Sequence, residues 1–265
     1  MDLGLAGATA VVVGGSRGMG LATARCLADD GARVAVIARS ASALDTAVED
    51  LLRRGSPDAI GIVADAADAS QIVAAFDRVA GSWDGELNIL VNAVGPTVQG
   101  SFAAITDEQW HLAVDEGAMS MVRCVRAALP LLRRAPWARI VNFSASSTQR
   151  QSIPLVAYTA AKAMVTSVSK NLALLLASDE ILVNVVSPGG VASESLLAWA
   201  RTVGVDSDDP YRLAEAISDH FGHPAQLPRT GVPEEIGPVA AFLASKRNSY
   251  MTGANVNVDG GTDFT

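Results

Sequence analysis

The chain has 265 residues, 49% of them hydrophobic, and a formal net charge of −8. That length and core suit one α/β domain, and the acidic balance argues against a nucleic-acid or anionic-membrane surface. Cys26 and Cys124 lie far apart in apolar helical patterns and read as small buried hydrophobes of a reducing compartment, while His111, His220 and His223 form no cluster, so no metal site is expected.

The opening stretch MDLGLAGATAVVVGG lacks a basic segment, and glycines break its apolar run, so a cytoplasmic protein without a signal or membrane anchor is expected. Short runs rich in valine and isoleucine then predict strands over 8–15, 32–39, 59–65, 87–95, 138–144, 181–189 and 255–261. Amphipathic stretches near 18–30, 40–54, 69–82, 106–134, 157–177 and 233–244 predict the helices between them. The strands are apolar on both faces, as strands of a parallel sheet covered by helices must be. Strict alternation of the two element types predicts a doubly wound, Rossmann-type parallel sheet of about seven strands, in a single domain over 1–265. Residues 190–230 break the rhythm. They give no strand, hold two plausible short helices, and are expected to form a substrate-binding lid.

After the first strand comes VGGSRGMG, with Gly14, Gly18 and Gly20 leaving no side chains where a backbone must approach a pyrophosphate. The helix that follows offers that anion free N–H groups and the positive end of its dipole. Ser16 and Met19 belong to the same turn and are counted with it as cofactor-binding. The second strand ends in Ala38 and Arg39, where an acid would accept from the ribose hydroxyls of NAD. Arg39, with Arg17 inside the glycine turn, suits a 2′-phosphate instead, so NADP(H) is favoured over NAD(H). Asp65 at the end of the third strand is a candidate acceptor for the adenine amino group, with small Ala66 leaving space for a ring. Asn92, Ala93 and Gly95 in NAVG end the fourth strand beside the ribose.

These segments resemble the short-chain dehydrogenase/reductase family, and in particular its members that act as 3-oxoacyl-carrier-protein reductases. The likeness rests on VGGSRGMG, NAVG, YTAAK, SPGGVAS and the tail YMTGANVNVDGG, in that order along nearly the whole chain. It implies a nicotinamide-dependent interconversion of alcohols and carbonyls, and a homo-oligomer, dimer or tetramer, with the last strand near a subunit contact. It implies that Tyr158 is the general acid/base and Lys162 its partner. Pro188, Gly189, Val191 and Ser193 fall in the segment that holds the nicotinamide carboxamide and pyrophosphate. Tyr158 and Lys162 are also counted among the cofactor-binding residues. Two positions depart from the pattern. Ala145 stands thirteen residues before the tyrosine, where the family has a serine, and Gly117 stands where it has an asparagine.

The chemistry supports the same pair. Hydride transfer to a ketone leaves an alkoxide that needs a proton, and a free tyrosine, with a pKa of about 10, is a poor exchanger near neutrality. A neighbouring ammonium favours the phenolate, and positions 158 and 162 share one helix face. For the missing hydroxyl, Ser147 returns to the face of Ala145 if the backbone stays extended, and a one-residue shift brings in Ser144 or Ser146. A substrate hydroxyl or a water is a further possibility. Gly117 either leaves room for a water or distorts its helix. The expected function is an NADP(H)-dependent oxidoreductase acting on a small-molecule ketone or secondary alcohol, hydrophobic in character. Ser147, Gln149, Pro154, Leu155 and the 190–225 segment would wall its pocket. A binding protein with weak redox turnover, or a non-redox enzyme on the same fold, stays open beside it.

Overall fold

The computed structural model describes residues 2–96 and 98–264. Seven strands form one parallel sheet: β1 (Thr9–Val13), β2 (Arg33–Ala38), β3 (Ala59–Val63), β4 (Ile89–Asn92), β5 (Ala138–Phe143), β6 (Ile181–Pro188) and β7 (Asn255–Val258). Their order is β3-β2-β1-β4-β5-β6-β7, so the chain moves outward from β1 in one direction and then crosses back to β4. Strand side chains alternate between two cores, which is why the strands read as continuous apolar runs. Val11 and Val13 join the layer under α3 (Ala69–Ser82), α5 (Ser120–Leu132) and α6 (Val156–Leu176). Ala10 and Val12 join the layer under α1 (Gly18–Asp29), α2 (Ala41–Arg54) and α9 (Pro233–Ala244).

Short polar residues mark the helix starts as a cap must. Ser40 accepts from the Ala43 N–H at the head of α2, and Asp68 accepts from the N–H groups of Ser70 and Gln71 at the head of α3. Thr106 and Gln109 form a reciprocal capping box at α4 (Asp107–Val114). The segment between β6 and α9 holds two short helices, α7 (Glu194–Thr202) and α8 (Pro210–Phe221), and no strand, as the composition predicts.

Two expectations are corrected. The strand signals run past the sheet at 14–15, 93–95 and 259–261, where the chain has already turned, because the small residues that continue the apolar pattern serve close-packed turns. The helix predicted over 106–134 is broken. A π-helical segment, Asp115–Met119, separates α4 from α5, and the Ser120 N–H reaches back five residues to the Asp115 carbonyl. Gly117 lies at its centre.

Candidate active site

The site is built at the carboxyl ends of β1 and β4, where the strand order reverses and two adjacent loops part. A cleft of about 960 Å3 opens there. The glycine turn forms its floor. Gly14 has a φ of +78°, in the left-handed region that favours glycine, and a Cβ on Gly20 would sit 2.2 Å from the Gly14 carbonyl oxygen. Ser16, Arg17, Gly18 and Met19 complete this floor. Arg17 gives α1 no side-chain cap, and the first turn holds no acid, so the leading N–H groups of α1 are available to an anion.

Four arginines line the cleft, and three are committed. Arg25 binds Asp50 at 2.6 Å and approaches Glu234 at 3.7 Å; Arg53 lies 3.8 Å from Asp50; Arg17 lies 3.6 Å from Glu194. Among the described residues, Arg39 has no carboxylate partner and stands exposed at the end of β2. Asp65 and Ala66 form the wall beyond it, with one Asp65 oxygen accepting from the Ala67 N–H at 3.0 Å. Ala93, Val94 and Gly95 form the opposite wall, and Ser193 closes one end.

Not every residue singled out in the sequence reaches the cleft wall. Asn92 is buried and donates through Nδ2 to Asn142 Oδ1 at 2.8 Å, and Asn142 donates in turn to Ser169 Oγ at 2.8 Å. It stitches β4, β5 and α6 together. Val191 packs in the core and pairs with Gly231, so it orients Ser193 through the backbone. Pro188 ends β6, and Gly189 lies so close to Asp259 that a Cβ would meet its backbone at 2.8 Å.

Tyr158 and Lys162 sit one turn apart on the first half of α6. The Lys162 ammonium donates to the Phe143 carbonyl at 2.8 Å and to the Val94 carbonyl at 3.2 Å. Gly95 has to be glycine for this, since a Cβ there would fall 2.8 Å from Nζ. Burial pushes Lys162 down to about 8 and the phenol of Tyr158 up to about 12. The expectation that the ammonium holds the phenol acidic is therefore corrected for the free protein. The ammonium gives two of its three N–H groups to carbonyls, and burial is the one cause acting on the tyrosine. Tyr158 stands as a protonated acid near neutral pH.

The backbone stays extended at Ala145 (φ −158°, ψ 150°) and then enters one 3-10 turn, Ser146–Thr148, which ends the strand-like alternation invoked for Ser147. Ser144 Oγ lies 2.9 Å from the Lys162 carbonyl, to which it donates, and 2.8 Å from Thr166 Oγ1, which fixes it to α6. Ser147 Oγ accepts from Thr159 Oγ1 at 3.1 Å, so its own proton stays available to a third group. Gly117 packs against Ala161 of α6 and against Pro96. A Cβ there would lie 2.8 Å from Ala161 Cβ and 3.1 Å from Pro96 Cδ. Thr159 and Glu194 carry no signal in the sequence, because their roles depend on contacts across 12 and 177 positions.

The two shifts fix a pH dependence. Between pH 8 and pH 10 the unfolded chain keeps a proton on Lys162 that the folded chain has shed, so folding stability from this group rises with pH. Above pH 10 the raised tyrosine reverses the trend, because the folded chain retains a proton that the unfolded one loses. Urea midpoints should therefore climb from pH 8 to pH 10 in the native sequence relative to Lys162→Met, and parallel curves would contradict the burial of the ammonium.

A doubly wound parallel sheet with a glycine turn at its switch point and a Tyr–Lys pair beside it defines a dinucleotide-binding α/β protein of the dehydrogenase type. The family model described as "Enoyl-(Acyl carrier protein) reductase" matches residues 13–263, and the chain belongs to the short-chain dehydrogenase/reductase family of oxidoreductases. It is 32% identical to oxidoreductase asL5 of Sarocladium schorii over 97% of this chain and 96% of that one. It is 30% identical to the 3-oxoacyl-[acyl-carrier-protein] reductase FabG of Staphylococcus aureus over 96% of this chain and 97% of that one. The solved structure of L-sorbose reductase from Gluconobacter frateurii, in complex with NADPH and L-sorbose, superposes with a TM-score of 0.92 at 28% identity, covering 100% of both chains. Among the described residues no helix is long and apolar enough to cross a membrane, and no group of three ligating side chains could hold a metal ion.

Proposed function

We propose that the protein interconverts a small-molecule ketone and a secondary alcohol with NADP(H). The observation that carries this reading is the bond from Lys162 Nζ to the carbonyl of Val94, a residue of the cleft wall. It ties the Tyr158–Lys162 face of α6 to the inner end of a cleft whose floor fits a pyrophosphate. The turn at 14–20 with the head of α1 would hold the pyrophosphate, Asp65 and Ala66 the adenine, and Ala93, Gly95 and Ser193 the far half of the dinucleotide. When bound, the nicotinamide supplies or accepts the hydride. Tyr158 gives the substrate oxygen its proton, and Lys162 fixes the loop ends around it. Ser147, with its proton unspent, donates a hydrogen bond to the same oxygen; Ser144, held by Lys162 and Thr166, is the weaker candidate. Similarity to an NADPH-bound L-sorbose reductase and to a 3-oxoacyl reductase supports a carbonyl substrate.

Residues 190–230 form the lid in this reading. Trp199 of α7 stacks on Phe221 of α8 at 4.7 Å between ring centroids, which joins the two lid helices through an apolar contact suited to a hydrophobic substrate. A homo-oligomer fits the exposure of Leu174 and Leu175 on α6. A ketone panel that includes L-sorbose and acetoacetyl thioesters tests the activity. NADPH consumption by the purified protein supports it, and tight NADPH binding without turnover on any carbonyl favours the rival reading, a binding protein, for which the missing hydroxyl at Ala145 speaks.

Arg39 tests the cofactor. Among the described residues it has no carboxylate partner, and it is the proposed ligand of the 2′-phosphate, so Arg39→Ala should weaken NADPH binding about 10- to 100-fold, the range of a lost charge-assisted bond, and leave NADH nearly unchanged. Equal losses for the two cofactors, measured by fluorescence titration, would contradict the assignment.

A further inference from the structure

Of the arginines around the cleft, Arg17 takes its partner from the lid. It precedes α1 on the glycine turn, while Glu194 opens α7, and their charged atoms lie 3.6 Å apart on side chains 61% and 67% exposed. The two segments also meet beside this pair, since a Cβ on Gly18 would lie 3.7 Å from Ser193 Cβ. A lid carboxylate thus stands against one of the two guanidiniums read above as ligands of the 2′-phosphate.

We propose that Glu194 is a specificity-determining residue that competes with the 2′-phosphate for Arg17 and so limits the preference for NADPH over NADH. This rests on the NADP(H) reading. A phosphate dianion outbids a single carboxylate for a guanidinium, and the displaced Glu194 is then left close to an anion that repels it. NADH carries a hydroxyl in place of that phosphate, leaves the Arg17–Glu194 pair intact, and meets no such repulsion. Both side chains are largely solvent-exposed, so the penalty is moderate and salt weakens it.

Glu234 supplies an internal control. It lines the same cleft with the same charge, but its partner is Arg25, at 3.7 Å. The experiment titrates NADPH and NADH into the native protein, Glu194→Gln, Glu234→Gln, Arg17→Ala and the Arg17→Ala/Glu194→Gln double variant, at low and high salt. Glu194→Gln should tighten NADPH by about 5- to 10-fold, the order expected for one like charge removed at close range near the surface. NADH should not respond, the gain should shrink in high salt, and it should be smaller without Arg17, where the direct repulsion alone is relieved. No change or weaker NADPH binding in Glu194→Gln overturns the proposal, as does an equal gain from Glu234→Gln, which would reveal only the general field of the cleft. If the native protein shows no preference between the cofactors and Arg39→Ala affects neither, the NADP(H) reading falls and this proposal with it. A preference that Arg39→Ala abolishes, together with a silent Glu194→Gln, removes the role of Glu194 alone.

Discussion

Replacing Tyr158 by phenylalanine should cut carbonyl reduction about 100- to 10,000-fold, the usual contribution of a positioned acid, and leave NADPH affinity within about twofold. The phenol is half-buried near the head of α6, carries no hydrogen bond among the described residues, and is held protonated by burial. Removing one oxygen therefore deletes a proton donor without releasing any structural contact. The buried lysine behaves differently. Lys162 clamps the Val94 and Phe143 carbonyls, so its replacement would disturb the loop ends as well as the chemistry. Single-turnover measurements with a ketone that the native protein reduces separate the two effects. A Tyr158→Phe variant that keeps its rate would remove the phenol from the reaction and with it the proposed reductase.

Restoring the family's asparagine at 117 should damage the protein instead of improving it. The first side-chain carbon would fall 2.8 Å from Ala161 Cβ, closer than such atoms approach, and 3.1 Å from Pro96 Cδ, a tight contact, so α6 or the chain at Pro96 would have to give way. Overpacking of this kind costs about 1–3 kcal/mol. Gly117→Asn should lower the urea midpoint accordingly and lower activity with it, and adding Ala161→Gly should recover part of the loss. An active, equally stable Gly117→Asn protein would show that the segment can move aside. The substitution also explains how this chain tolerates glycine inside a helix: the helix there is already widened, and the glycine lets α6 approach it.

Most of the architecture was legible because the signals are local and repeated. Strand runs apolar on both faces, caps such as Ser40 and Asp68, and the glycine turn each depend on neighbours in the sequence. The two helices between β6 and α9 were readable for the same reason. The π-helical segment was not, because 106–134 keeps a helical pattern throughout and the deviation comes from packing against Pro96 and Ala161. The site was readable down to its residue types but not to its hydrogen bonds. Tyr158 and Lys162 are singled out by the family resemblance, and Arg39 by its charge at the end of the second strand. That Ser144 is tied to Lys162, that Thr159 leaves the Ser147 proton free, and that Asn92 faces Asn142 instead of the cleft are decided by side-chain directions that no pattern along the chain encodes. Burial raises the phenol of Tyr158, and that desolvation is likewise set by packing and not by spacing along the chain.

The widened turn at Asp115–Met119 has an effect on heredity as well as on packing. It holds one residue more than a regular helix of the same rise, so deleting a single codon within it would give an unbroken helix from Asp107 to Leu132 with α4 and α5 facing as they do now, whereas a deletion in α4 itself would turn the part before it by about 100° relative to α5. A deletion between Trp110 and the widened turn would swing Trp110 from its edge contact with Phe102. A change of one residue in length is thus better absorbed inside the widened turn than in the helices on either side of it.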